Sequence, residues 1–310
     1  MVVNSSTETI FGTCLLTGGN GYLGTYVRQH LDACGFKVAT LGRSENNALV
    51  ADLSVEMPVI NKSFDIVVHC AGKAHSFPKN EHERKAFFDV NLIGTQNLLT
   101  ALEAAPGLPK HFVFMSSVSV YGLNQGVNVN ETQPLQSNYP YGKSKIEAEK
   151  LIESWCRQNR VTCLILRLPL LAGKNPPGNL KMMIEGIKKG YYFNISKEPV
   201  RKSIVMAEDV AKLIPTTIGM TGTFNLTDGY HPSFQELATL IAKQLRKPKP
   251  LSIPNWLCKA LIFSSKAFSF ISPINAYKFQ KLTLSLTFDD SKARSLLRWN
   301  PTSVLEAFKL

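Results

Sequence analysis

Tyr141 and Lys145 lie four residues apart in Tyr141-Gly142-Lys143-Ser144-Lys145, a spacing that puts both side chains on one face of a helix. A tyrosine with its ordinary pKa of about 10 has too little phenolate at neutral pH to act as a base. A neighbouring ammonium favours the phenolate and draws that pKa toward the range where proton transfer is effective. Earlier in the chain, Thr17-Gly18-Gly19-Asn20-Gly21-Tyr22-Leu23-Gly24 has the Gly-x-Gly-x-x-Gly spacing of a turn that seats a dinucleotide pyrophosphate. Gly19 and Gly21 are expected to let the backbone turn sharply and approach the phosphates, and Gly24 to let the following helix pack close to the sheet. Unpaired amides at the helix start then face the anion. Taken singly, the motifs have plain alternatives: a glycine-rich surface turn, and a solvated lysine beside a half-buried tyrosine. Together, a phenol, an ammonium and a dinucleotide seat describe a redox site.

The elements that must position these groups are legible around them. Thr13-Cys14-Leu15-Leu16 is an apolar run of strand length before the glycine turn, and Tyr22 to Leu31 carries apolar residues at helical intervals. The Tyr141 helix follows from Pro140 at its start, from Ile146, Ala148, Leu151 and Ile152, and from the lack of an internal proline. A further strand is expected over Lys37 to Leu41. Where an acidic residue would bind an NAD ribose hydroxyl, the chain has Gly42-Arg43-Ser44. Arg43 can pair with a 2'-phosphate that a carboxylate would repel, so NADP(H) is favoured and NAD(H) is kept as possible. An exposed loop arginine is the plain alternative. Alternating short strands and helices through about residue 170 imply a parallel, doubly wound sheet.

In several ordered motifs the chain resembles the extended short-chain dehydrogenase/reductases, in particular their nucleotide-sugar epimerase, reductase and dehydratase group. These are the glycine turn, His69-Cys70-Ala71-Gly72 after a strand over Phe64 to Val68, Asn91-Leu92-Ile93-Gly94-Thr95, Phe112 to Ser117 followed by Val120-Tyr121-Gly122, Tyr141 to Lys145, Arg167-Leu168-Pro169 with Gly173, and Asp290-Ser291-Lys292-Ala293 with Leu297, Trp299 and Pro301. The resemblance implies a Rossmann-type α/β fold, a doubly wound parallel sheet with a smaller mixed α/β substrate-binding lobe. Residues 10–172 would form the core of the dinucleotide domain and 173–310 mainly the substrate lobe, with some segments returning to the sheet. It implies a catalytic triad of Ser117, Tyr141 and Lys145, with Ser116 a rival for the serine. The cofactor would contact Gly18, Gly19, Asn20, Gly21, Tyr22, Leu23, Gly24, Arg43, Asp52, Leu53, Cys70, Ala71, Gly72, Asn91, Tyr141, Lys145 and Leu168. The substrate would contact Ser117, Val118, Tyr141, Asn179, and Arg201 or Lys202 as the phosphate-binding cation.

Two departures narrow the reaction that the resemblance implies. The family's dehydratases carry an Asp-Glu pair after the hydroxyl residue, because loss of water needs an additional acid and base. Here Val118 and Ser119 stand there, which disfavours dehydration. The NADP(H) preference then points to reduction of a 4-keto UDP- or dTDP-linked sugar in surface-glycan precursor synthesis. A 4-epimerase with tightly bound NAD is the alternative, and a catalytically silent dinucleotide-binding regulator is the alternative from another class. The family's habit of pairing through a four-helix contact implies a homodimer.

Composition agrees with this reading. The 310 residues, 44% hydrophobic, suffice for a large core, and a net charge of +12 favours anionic partners. No zinc-finger spacing or arginine tract points to nucleic acid. The six cysteines are dispersed, without a Cys-x-x-Cys pair; Cys14, Cys70 and Cys163 are expected on strands as core residues, and no metal site is expected. A polar N-terminus and reduced thiols suggest a cytoplasmic chain. Trp256 to Tyr277 is apolar but interrupted by lysines, serines and prolines, so a bilayer span is not expected; peripheral membrane contact is possible, and a packed amphipathic helix is preferred.

Overall fold

The computed structural model describes residues 11–74, 78–195, 199–253 and 283–310. The Trp256–Tyr277 expectation lies outside the described residues. The described residues form thirteen strands: β1 (Gly12–Thr17), β2 (Phe36–Gly42), β3 (Leu49–Val50), β4 (Ile66–His69), β5 (His111–Ser117), β6 (Gly126–Val129), β7 (Thr162–Leu168), β8 (Leu170–Ala172), β9 (Asn194–Ile195), β10 (Ile204–Met206), β11 (Gly222–Asn225), β12 (Ser252–Ile253) and β13 (Leu286–Phe288). The α-helices of the described residues are α1 (Tyr22–Ala33), α2 (Glu81–Phe88), α3 (Gly94–Glu103), α4 (Pro140–Asn159), α5 (Gly178–Lys189), α6 (Ala207–Leu213), α7 (Phe234–Gln244), α8 (Ser291–Leu297) and α9 (Val304–Ala307).

The chain divides into two compact units. The first comprises residues 1–121, 135–167 and 207–224; the second comprises 122–134, 168–206 and 225–310. In the first, a seven-stranded parallel sheet runs in the order β11-β7-β5-β4-β1-β2-β3. Cys14 to Thr17 of β1 pair with Val38 to Leu41 on one side and with Ile66 to His69 on the other. Every residue of β4 and β5 is buried, as expected of central parallel strands covered on both faces. Leu15, Val67, Phe112 and Phe114 of the sheet share a core with Leu98 of α3 and with Ile152 and Trp155 of α4. The strand order reverses between β1 and β4, and such a switch point leaves a ligand crevice at the carboxyl ends of the two strands. Cys70 falls one residue beyond β4, at that crevice, and not within a strand as expected.

The second unit is built from the parallel pairs β8–β10, β9–β12 and β6–β13, with α5, α7, α8 and α9. Its core joins Leu180, Met183 and Ile187 of α5 to Leu237 and Ile241 of α7, with Val304 and Phe308 near the C-terminus. Residues 207–224, which follow part of the second unit in sequence, thus return α6 and most of β11 to the first unit.

Candidate active site

Tyr139 caps α4 in extended conformation and Pro140 opens it, where a missing backbone N–H costs nothing. A Cβ on Gly142 would lie 2.5 Å from the Ser119 carbonyl oxygen and overlap Ser137, so glycine there lets the first turn of α4 press against the loop after β5. That contact brings two sequence-distant groups together: the Tyr141 phenol is hydrogen-bonded to Ser117. Ser119 N donates to Ser117 Oγ at 3.2 Å, and the Ser117 and Ser119 hydroxyl oxygens also lie 3.2 Å apart. Ser116 has a different task. Its hydroxyl donates to the buried Glu149 carboxylate, which also accepts from Arg167 Nε at 3.1 Å and Nη2 at 2.7 Å. Alternation along β5 sends the two neighbouring serines to opposite faces of the sheet.

Lys145 is 4% exposed and lies one turn beyond Tyr141. Its Nζ donates to the Met115 carbonyl at 2.8 Å and sits 4.4 Å from the centre of the Phe114 ring. Burial draws its pKa down to about 8, opposed by Cys70 and Glu149. The phenol of Tyr141 departs from the sequence expectation. Burial holds its pKa above the ordinary value, and the Ser117 hydrogen bond acts in the other direction. The ammonium, committed to a main-chain carbonyl, is not among the groups that move it.

The glycine turn follows a division of labour different from the expected one. Gly18 carries the positive φ, +68°, and a Cβ there would lie 2.7 Å from Ala71 N; this is the position that glycine alone can fill. Gly21 is an ordinary extended N-cap of α1, with φ −79° and ψ 171°. A Cβ on Gly24 would overlap the Gly18 carbonyl, so the close approach it permits is to the turn and not to the sheet. Gly19 packs on Thr40 of β2. Leu23 is buried, and Tyr22 meets Tyr26 edge-on at 5.6 Å.

Beneath the turn lies a polar chain that sequence reading missed. Thr95 donates to the Asn91 carbonyl at 2.7 Å, so its oxygen accepts from His69 Nε2 at 3.0 Å. Thr17 accepts from Ala71 N at 3.1 Å and donates to His69 Nδ1 at 2.6 Å. These bonds set one neutral tautomer, and burial draws the His69 pKa to about 3. The signal available in sequence was the ends of the elements themselves: Thr17 and His69 close β1 and β4, and Thr95 lies in the first turn of α3.

Asn91, 1% exposed, sits in a π-helical segment over Asp89–Ile93, a form often found at functional sites. Its Oδ1 accepts from Lys73 N at 2.7 Å, and its Nδ2 donates to Ser144 Oγ at 2.9 Å and Lys73 O at 3.1 Å. The loop after β4 is thereby tied to α4. A Cβ on Gly72 would lie 3.1 Å from Asn91 Oδ1 and 3.3 Å from Lys145 Nζ. Gly18, Ala71, Gly72, Asn91, Ser117, Tyr141 and Lys145 therefore converge at the carboxyl ends of β1, β4 and β5, with Val118 half-buried in the turn that follows. Burial pushes the Cys70 thiol up to about 12. Leu53 is buried, and its carbonyl accepts from Asn97 at 2.8 Å. Ser54 donates to Asp52 from both hydroxyl and backbone and lowers its pKa, with the Arg43 charge acting the same way.

The remaining expected residues belong to the second unit. Leu168 is buried, and Asn179 is exposed in the first turn of α5. Arg201 and Lys202 are bridge partners of Ser233 and Leu286. Arg201 donates to the His231 carbonyl at 3.0 Å, pairs with Glu236 at 3.5 Å and lies over the Tyr230 ring. No cluster of three metal-ligating side chains occurs among the described residues, and none of their helices is long and apolar enough to cross a membrane.

Residues 14–220 match the model of the NAD dependent epimerase/dehydratase family. The UDP-glucose 4-epimerase of Vibrio cholerae is 28% identical over 95% of this chain and 93% of its own length. The N-acetyl-alpha-D-glucosaminyl-diphospho-ditrans,octacis-undecaprenol 4-epimerase of Escherichia coli O157:H7 is 24% identical over 91% of this chain and 88% of its own. Among solved structures, the UDP-N-acetylglucosamine 4-epimerase from Bacillus cereus superposes with a TM-score of 0.73 at 24% identity, covering 94% of each chain.

Proposed function

The chain belongs to the NAD dependent epimerase/dehydratase family, and on that premise we propose that it inverts C4 of a diphosphate-linked sugar, with a UDP- or dTDP-hexose as the substrate class. The observation that carries the reading is the Ser117–Tyr141 hydrogen bond, made beside Lys145 and Gly72 at the mouth of the dinucleotide turn. The cradle fits a dinucleotide: the positive φ at Gly18 and the bare Cα atoms of Gly18, Gly24 and Gly72 keep backbone where side chains would obstruct it. A bound nicotinamide supplies the hydride acceptor and, in reverse, the donor.

In the forward half-reaction the C4–H bond breaks with its electron pair, and the O4 proton passes to the Tyr141 oxygen. In the return, Tyr141 gives the proton back to O4 as C4 regains hydride on its other face. Ser117 holds O4 in line with the phenol, and its hydrogen bond favours the phenolate that the first step needs. Lys145 would hold the nicotinamide ribose hydroxyls, while Asn91 keeps the loop after β4 and the Tyr141 helix in register. Asn179, with Arg201 or Lys202, supplies polar contacts for the diphosphate. Val118 and Ser119, in place of an acid and a base, leave dehydration without its groups.

A second reading, reduction of a 4-keto sugar by NADPH, draws support from Arg43 and from the absence of a carboxylate at Gly42. One experiment separates the two. The purified protein is incubated with UDP-glucose, UDP-N-acetylglucosamine and their dTDP counterparts, and with 4-keto derivatives plus NADPH or NADH, followed by NMR and by reduced-nicotinamide absorbance. Inversion at C4 without net loss of reduced cofactor supports the epimerase. Loss of NADPH in step with loss of ketone supports the reductase. A folded protein that does neither defeats both.

A further inference from the structure

Where α4 hands over to β7, two cysteines of the first unit lie side by side. The helix ends on Arg160 in the left-handed conformation, φ 57°, and Val161 N donates back to the Cys156 carbonyl at 2.9 Å, so the chain doubles back at once into β7. The turn carries Cys163, the second residue of β7, against the last turn of α4. There its thiol is hydrogen-bonded to the thiol of Cys156. Both cysteines are free of disulfides.

The two sulfurs differ in surroundings. Cys156 is 1% exposed within the core shared by the sheet and α4, whereas Cys163 is half-buried at the margin of that core. Both line a cavity of about 340 Å³, together with Thr221 and with Gly222 and Thr223 of β11. Pockets that hold small molecules run from about 300 to 1,000 Å³, so there is room for one here. The Cys163 partner and burial, with the Glu153 charge acting the same way, hold the proton on Cys156. Cys156 is therefore the donor of the thiol pair and Cys163 Sγ its acceptor. The accepting sulfur, which is also the more exposed, is the one that a molecule in the cavity meets.

We infer that Cys156 and Cys163 form a thiol-modification site, which takes a low-molecular-weight disulfide from this cavity and closes to an intramolecular disulfide. In the first step Cys163 Sγ, its proton lost to solvent, attacks one sulfur of the small disulfide. The bond between the two small-molecule sulfurs breaks, and one leaves as a thiolate that takes up a proton. Capping Cys163 in this way removes the partner that held the proton on Cys156. In the second step Cys156 Sγ, now deprotonated, attacks Cys163 Sγ; the Cys156–Cys163 bond forms and the second small thiol leaves with a proton. Two protein thiols are oxidised and one small disulfide is reduced to two thiols. Cys163 is the attacking residue and Cys156 the resolving one. The inference does not rest on the proposed function.

The test uses the reduced full chain and oxidised glutathione, with remaining thiols blocked by N-ethylmaleimide in denaturant and the products mapped by peptide mass. In the wild type, Cys156 and Cys163 are expected to lose their reaction with the blocking reagent together and to appear joined, after a transient glutathione adduct on Cys163. Dithiothreitol should restore both thiols. Cys156→Ser should stop at the adduct on Cys163. Cys163→Ser should leave Cys156 open to the blocking reagent, its capture slower than that of Cys163 by about tenfold or more, as a buried, protonated thiol requires. If a variant fails to fold, shown by its melting temperature, the order in which adduct and disulfide appear in the wild-type time course gives the same assignment. Three results would each overturn the site: a lasting glutathione adduct on wild-type Cys163, both thiols still open in the folded wild type, or capture of Cys156 in folded Cys163→Ser as fast as that of Cys163.

Discussion

At Tyr141 the local environment works against the charge that chemistry requires: burial favours the neutral phenol, and the Ser117 hydrogen bond is the opposing influence. Tyr141→Phe keeps the ring and its packing against Phe87 and removes only the oxygen. It should leave dinucleotide affinity nearly unchanged and lower turnover by about a hundredfold or more, the usual worth of a positioned proton-transfer group. Titration calorimetry and an NMR assay of C4 inversion read the two effects separately; normal turnover in the folded variant would remove Tyr141 from the mechanism. Lys145 sets the alkaline limit. With its pKa drawn down to about 8, it holds an ammonium below that pH and loses it above, so affinity and turnover should fall as pH rises through that value. The stability contribution of this group runs the other way. In the unfolded chain a lysine keeps its proton up to about 10.4. Between about 8 and that value the unfolded state binds more protons, so this residue's contribution favours the fold increasingly as pH rises across the window. The pH dependence of dinucleotide binding, compared with that of chemical denaturation, shows the two trends.

At the scale of elements, the two motifs differ in how much of their geometry a sequence can carry. Tyr141 and Lys145 share a face because four residues is about one helical turn, and α4 forms where Pro140 and the apolar spacing put it. The glycine turn was legible as a turn, but the duty of each glycine was not. Gly18 needs its positive φ because Ala71 stands beside it, and Ala71 comes from another strand's end. Gly24→Ala should therefore act through the turn. Its Cβ would overlap the Gly18 carbonyl, so α1 must shift away from the phosphate seat. Dinucleotide affinity should fall by about tenfold or more, while a change of Ala to Gly or back on an unconstrained helix surface alters stability by only about 1 kcal/mol. An unchanged dissociation constant in Gly24→Ala would show that the seat tolerates this shift.

Across the first unit as a whole, the buried Glu149–Arg167 pair links β5, α4 and β7 behind the site. Arg167→Ala would strand a buried carboxylate and should cost about 3–5 kcal/mol in denaturant unfolding, whereas the combined Glu149→Leu, Arg167→Met chain should come out near the wild type in stability. A single variant as stable as the parent would mean that the pair is hydrated. Neither this pairing nor the Asn91 tie to Ser144 could be read from sequence, whereas the return of a later segment to the sheet, which β11 makes, was expected there. By itself the amino-acid order determined what depends on near neighbours along the chain: strand and helix periodicity, a glycine turn between β1 and α1, and a phenol one helical turn from an ammonium. Folding alone decided which of two adjacent serines meets Tyr141, which glycine bears the left-handed backbone, and where Lys145 spends its proton. Those outcomes depend on contacts between residues dozens of positions apart, and strand register and burial create such contacts only once the sheet has assembled.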